Sequence, residues 1–266
     1  MMKVTKLKPR EGWRVFIGEV GVIVLGVLIA LAAQQAVDDW QWRQTVDRTK
    51  ADLDKSIATS IANVAERAAV DPCLTQRLTG LAAKVAASRG TWSADPYRLP
   101  GETKIAEVVK YAVPVAYRAP SRAYLSDVWQ QAKAAGVLSH MAPADIARYA
   151  DIFDTIAAFV ANNATESDLS SSLSFLSFDG PLTAEDRSRA LSAISRLDML
   201  NKSIVTYAKL VVESAAAMGI TLSADDNKLL LGYLDIQREF RGQCVDRAAA
   251  LKMIAPIRAS GATNVR

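Results

Sequence analysis

Few side chains in this chain are of the kind that do chemistry. Among 266 residues there is one histidine, His140, and there are two cysteines, Cys73 and Cys244. A lone imidazole could serve a Ser-His-Asp hydrolase, but nothing in the sequence sets a nucleophile beside it. His140 falls between Gly136 and Pro143, at an expected helix corner where an imidazole caps carbonyls or lies in solvent. The acidic pairs Glu185–Asp186 and Asp225–Asp226 fall at expected helix starts, where carboxylates complement the helix dipole. There is no phosphate-binding glycine loop, Gly-x-Ser-x-Gly elbow, His-Glu-x-x-His or Cys-x-x-Cys motif, and one His with two Cys is a poor zinc set. The sequence thus assigns no catalytic residue, no metal site and no cofactor, and the expected mode of action is binding. Trp92, Tyr97, Tyr111, Tyr117 and Tyr124, with Arg98, Arg118 and Arg122, gather around the longest irregular stretch. Such residues build binding surfaces; they also pin long loops onto a bundle.

The chemistry open to the cysteines is oxidation, and the N-terminus decides their compartment. From Val15 to Val37 the residues are apolar or small except Glu19, Gln34 and Gln35, and 1.5 Å per residue carries them roughly 34 Å, enough to cross a bilayer. Lys3, Lys6, Lys8, Arg10 and Arg14 precede this run and Asp38 and Asp39 follow it. The positive-inside bias therefore predicts a cytoplasmic N-terminus and an exported remainder. Trp13 on one side and Trp40 with Trp42 on the other suit the two interfaces. A cleavable signal peptide is the rival reading, because Ala30-Leu31-Ala32 satisfies the small-x-small cleavage pattern. Against it, Glu19 interrupts the start of the apolar run, and no Gly or Pro separates Ala33 from the next helical pattern.

In an oxidising compartment Cys73 and Cys244 have only each other to pair with. A bridge would close a loop of roughly 170 residues, for which the chain-entropy model gives about 5 kcal/mol as an upper figure. Two buried free thiols are the alternative. Within the span Glu19 shares a helical stripe with Val22, Gly26, Ala30 and Ala33. Gly26 with Ala30 forms a small-xxx-small pair that permits close helix approach. The stripe either contacts another helix, from a second copy or an envelope protein, or is an ordinary membrane face whose carboxylate snorkels to the headgroups.

Half the residues are hydrophobic, sufficient for a real core. Of the 32 Lys and Arg and 28 Asp and Glu, five basic residues and one Glu precede residue 15. The rest of the chain is therefore neutral, and the net charge of +4 belongs to the basic tail; no nucleic-acid partner is indicated.

The elements between are helical by period. Val46, Leu53, Ile57, Ile61, Val64 and Ala68 mark an amphipathic helix continuing from the span, with Asp47, Asp54, Lys55, Asn63 and Glu66 left for other faces. Asp71 and Pro72 are expected to end it, with a second helix from Cys73 to about Arg89. A loop follows, then a short helix from Glu102 to Val113 and one capped by Ser121 and ending near Ala135. Pro143 opens a helix with Ile146, Tyr149, Phe153, Ile156 and Val160 on one face, and the Ser-rich run after Thr165 is expected to be a short helix or packed loop. Thr183 and Asp186 start the clearest helix, to Met218, whose four-and-three seam runs through Ala190, Ile194, Leu197, Asn201, Ile204, Ala208, Val211, Ala215 and Met218. Asn201, its one polar member, either sets bundle register or partner choice, or bonds a loop or a water. Ser223 caps a last helix with Leu229, Tyr233, Ile236 and Phe240 inward, and the tail from Pro256 has no pattern.

"GVIVLGVLIALAAQQAVDDWQWR" and "RAYLSDVWQQAKAAGVLSHMAPADIARYADIF" resemble the two most recognisable stretches of an uncharacterised family of bacterial inner-membrane proteins. The resemblance implies one N-terminal span followed by a helical exported domain, and it brings no catalytic residues. The expected organisation is all-α: a cytoplasmic basic tail over 1–14, a transmembrane helix over 15–37, a periplasmic helical bundle over 38–255 and an irregular tail over 256–266. The expected function is that of an interaction, scaffold or accessory envelope protein whose partners are the lipid bilayer and a second copy or another envelope protein. Two rivals are a ligand-binding sensor-like module, which would need a partner because fourteen residues before the span cannot hold an output domain, and a hydrolase using His140.

Overall fold

A computed structural model describes residues 12–94, 119–120, 122 and 127–257. The expected helix over Glu102–Val113, Ser121 as the expected cap of the helix ending near Ala135, the basic residues Lys3 to Arg10, and Tyr97, Arg98, Tyr111, Tyr117, Arg118 and Tyr124 lie outside these. The described chain is all-α apart from one small ladder.

Its axis is α1, Gly12–Ala87, a single helix of 76 residues and about 114 Å. The first part, from Phe16 to Thr45, is exposed on nearly every side, and one window of it has a mean hydropathy of 2.5. It is long and apolar enough to span a membrane. From Ser56 to Val70 almost every residue is buried, including Asn63 and Glu66. These two were expected on outer faces. An axial helix surrounded on all sides has no solvated face, so its polar residues must find partners inside.

Helix α2 is Asp127–Ala134. Gly136, at φ 71°, turns the chain into a 3₁₀ segment, Val137–His140, that docks on α1. Helix α3, Pro143–Ser171, buries Tyr149, Ile152, Phe153, Ile156 and Phe159, so its core face includes Phe159 while Val160 is 36% exposed. Helix α4, Ala184–Ala217, begins with the reciprocal Thr183–Asp186 capping box, and its seam is buried from Ala190 to Ala215, while Met218, the last expected member, is the C-cap and only half-buried. Helix α5, Ala224–Arg241, has the equivalent Ser223–Asp226 box. Its inward stripe is Leu230, Leu234, Gln237 and Arg241; Ile236, expected inside, is 53% exposed. The face is rotated because Glu66 on α1 draws Gln237 inward. Helix α6, Arg247–Met253, closes the bundle, and Ile257 is fully buried, which extends the core past Pro256.

The Ser-rich run splits between the end of α3, a 3₁₀ turn and β2, Gly180–Pro181, which pairs antiparallel with β1, Thr91–Trp92. The sequence reading expected a short helix or packed loop there, without a strand. The partner is the loop just after α1, where Trp92 is buried and its indole N–H donates to the Leu176 carbonyl at 2.8 Å.

Pro72 does not end α1. A proline inside a helix removes one N–H and crowds the carbonyl four residues back, loosening the local ladder. Here the adjoining carbonyl, that of Ala69, accepts the Asp246 N–H at 2.8 Å. The C-terminal segment thus docks on the turn of α1 that contains Pro72, and the next residue, Cys73, meets Cys244.

Candidate functional site: a buried polar layer across the bundle

The apolar core falls into two clusters. One, nearer the exposed part of α1, contains Leu53, Ile57, Ile61, Phe153, Ile156, Ile204 and Leu234; the other contains Leu74, Leu78, Leu81, Leu173, Leu176, Ile194 and Leu197. Where they meet, over residues 66–75 of α1, buried polar side chains interleave with the apolar Ala69, Val70 and Leu74.

Glu66 is fully buried. Arg122 donates to both its oxygens, from Nε at 2.9 Å and Nη2 at 2.8 Å, and Gln237 adds a third donor at 2.9 Å. Arg241 donates in turn to Gln237 Oε1 at 2.7 Å. The Arg122 guanidinium also lies 3.9 Å from the Tyr233 ring centroid, a cation–π contact. Next along α1, Arg67 pairs with Glu166 of α3 at 2.5 Å, both side chains almost completely buried. The Arg67 Nε and Nη1 atoms have no hydrogen-bond partner. Asn201 of α4, also fully buried, donates to Asp71 Oδ1 at 2.5 Å and Thr75 Oγ1 at 3.3 Å. It occupies the boundary between the two clusters and bonds α1 rather than a loop.

The Cys73 and Cys244 sulfurs, at the same level, are at bonding distance, 2.12 Å, with Cα atoms 5.0 Å apart. The bridge joins the axial helix to the C-terminal segment.

This layer has the chemistry of a clamp. Both Glu66 oxygens are occupied by donors, and each ion pair links two elements that an apolar contact alone would let slide. Sequence reasoning found Cys73, Cys244 and Asn201 and missed Glu66, Arg67, Glu166, Gln237 and Arg241. The signal available was the crowding of charged residues into a helix with no room for a solvated face. Of the aromatic and Arg group around the irregular stretch, the described members Trp92 and Arg122 are both bound to the bundle.

Closer to the exposed part of α1, side chains of α3 reach the axial helix through Lys50–Asp145 at 2.5 Å and Tyr149 Oη to Asp54 Oδ1 at 2.7 Å. Lys50 and Arg148 hold the Asp145 carboxyl below the usual range. Burial, then the hydrogen bond to Asp54, raises the Tyr149 phenol above its ordinary value of 10.0. The folded protein holds that proton more tightly than the unfolded chain, so the stabilisation is complete below about pH 10 and is lost as pH rises toward the folded value. Alkaline unfolding of the wild type should therefore begin at lower pH than that of Tyr149→Phe, although the variant loses about 0.5–1.5 kcal/mol at neutral pH. Tyrosinate absorbance with circular dichroism across an alkaline titration checks it; identical pH profiles would remove Tyr149 as the cause.

His140 is exposed and stacks on Trp42 of α1, ring centroids 3.8 Å apart and planes at 12°. The stripe residues Glu19, Val22, Gly26, Ala30 and Ala33 are all exposed on the unpacked part of α1, so the bundle does not use them.

The fold and this layer define a class: an all-α bundle assembled around a helix whose first third is apolar and free of bundle contacts. No family model matches the chain, and no curated protein or solved structure matches it either.

Proposed function

We propose that the protein is a membrane-anchored interaction module of the bacterial envelope. Residues 15–37 are an uncleaved span with a cytoplasmic N-terminus, and the disulfide-closed bundle stands in the periplasm, acting as a scaffold or accessory subunit. The observation that carries this reading is that one uninterrupted helix supplies both the apolar segment and the axis of the bundle. A rigid rod of this kind holds the bundle at a set height and orientation over the membrane. The balanced charge of the bundle and its resemblance to exported inner-membrane domains agree with it.

Protein isolated from membranes should carry the residues before Ala33 by intact mass, require detergent for release, and expose its bundle to protease added to spheroplasts. A mass beginning at Ala33, or complete protection of the bundle, would refute the anchor or its orientation.

The free stripe is the surface on which the span would meet a helix of a second copy or of a partner. A Cβ added at Gly26 or at Gly21 meets nothing within 4 Å, so neither substitution disturbs this chain's own packing. Gly26→Ile is expected to abolish crosslinking within membranes by blocking close approach, whereas Gly21→Ile, on another face, retains it. Equal crosslinking in both would place any partner on the bundle.

A further inference from the structure

The bridge between Cys73 and Cys244 runs from the inside of the bundle to its surface. Cys73, on α1, is fully buried, whereas Cys244 is half-buried. Cys244 ends a 3₁₀ turn, Gly242–Cys244, whose first two residues, Gly242 and Gln243, are exposed. In thiol–disulfide exchange a thiolate attacks one sulfur and the other sulfur leaves, so the choice of sulfur depends on access. The attacking thiolate approaches along the line of the S–S bond, from the side opposite the leaving sulfur. At Cys244 that line begins in solvent. At Cys73 it begins inside the apolar cluster nearer the exposed part of α1.

Beyond Cys244 the chain runs back over α1 as a short segment. It is held by the Asp246 N–H on the Ala69 carbonyl at 2.8 Å and by Val245, Ala250, Ile254 and Ile257, all buried in that same cluster. None of the bonds described in the polar layer involves this segment: Glu66 with Arg122 and Gln237, Arg67 with Glu166, and Asn201 with Asp71 all lie before it. Gly242, exposed and at φ 79°, ends α5 in the left-handed region that glycine adopts without strain, and it marks where the segment turns away.

We propose that Cys244 is the attack point for a protein dithiol, and that reduction through it frees residues 245–257 as a strap while the rest of the bundle stays closed. In the first step the partner's thiolate bonds to Cys244 Sγ, the bond to Cys73 breaks, and its electron pair leaves on Cys73 Sγ, which takes a proton. The partner's second thiol, as thiolate, then attacks its own sulfur in the mixed disulfide. Cys244 Sγ leaves with the electron pair and is protonated in turn. The partner ends as a disulfide and the chain as two thiols; the reverse sequence closes the strap. A thiolate released into an apolar site is a poor leaving group. Exchange with free small thiols is therefore slow, which favours a partner that docks on the exposed Gly242 and Gln243.

The test uses the oxidised full chain in detergent and a reduced thioredoxin-type protein that keeps only its attacking cysteine. The mixed disulfide is quenched in acid early in the reaction and mapped by peptide mass spectrometry. The probe is expected on Cys244 at least about tenfold over Cys73, a preference that falls toward one in urea, where both sulfurs are open. Equal labelling in the folded chain, an excess on Cys73, or labelling in urea alone would overturn the attack point. Hydrogen exchange on the oxidised and fully reduced chain reads the strap. Amides of 245–257 should lose protection about tenfold or more, while those of residues 56–70, α3 and α4 stay within about two-fold. An unchanged 245–257 segment, or loss across the whole bundle, would overturn the release. A chain cut after Ala32 would carry the same bridge and give the same two results, so intact mass tells a failure of the anchor from a failure of this site.

Discussion

Glu166→Ala is expected to lower the unfolding free energy by about 3–5 kcal/mol, the cost of breaking a buried ion pair by removing one partner. Glu166 holds the only hydrogen-bonded nitrogen of Arg67 among the described residues, and Arg67 is 1% exposed. Without the carboxylate a guanidinium stays buried with no acceptor. The replacement of both partners has a different outcome. Arg67→Met with Glu166→Leu fills similar volume with apolar groups and should restore stability to within about 1–2 kcal/mol of wild type, because neither charge then has to be desolvated. Urea melts of the full chain in detergent, run on the two single variants and the double, measure the coupling directly. Additive losses would mean that the pair does not act as a unit.

The second large effect is expected at the disulfide. Cys73 and Cys244 are 171 positions apart, so the bridge constrains most of the unfolded chain, and its removal is expected to cost about 2–5 kcal/mol. The double variant Cys73→Ser with Cys244→Ser should show this as a lowered urea midpoint. Local consequences come first. The segment that carries Cys244 is otherwise held by the Asp246 N–H on the Ala69 carbonyl and by Ile254 and Ile257 in the core. Proteolysis of the reduced protein should therefore cut first between α5 and α6, before the rest of the bundle opens. Cleavage spread evenly over the chain, or an unchanged midpoint, would show that the bridge adds nothing to that docking.

Much of the fold was legible because its signals are local. The seam of α4 is a repeat of apolar residues at four and three, and every member from Ala190 to Ala215 is buried as the period requires. Thr183 and Ser223 each stand three residues before an aspartate, and both boxes form, since the two bonds lie within one turn. The apolar span is likewise a property of composition and length. The cysteine pairing followed from there being two.

What failed were inferences in which a local signal had to be weighed against partners distant in the chain. Pro72 reads as a stop, yet α1 runs through it, and Asp246, far along the sequence, donates to the Ala69 carbonyl in the turn before the proline. Asn63 and Glu66 read as solvated, since polar residues normally take the outer face of an amphipathic helix. They are inside because helices and loops cover α1 on every side. The inward stripe of α5 is offset because burying Gln237 against Glu66 satisfies a carboxylate that has no water. The sequence by itself determined the helical class, the apolar anchor-length segment and the helix starts at Pro143, Thr183 and Ser223, all set by spacing along a few turns, and the pair of sulfurs, set by there being two. Only the tertiary structure decided which charges lie in the core and how they pair, because a buried charge is stable only where its counter-charge arrives, and that arrival is fixed by the packing of separate helices.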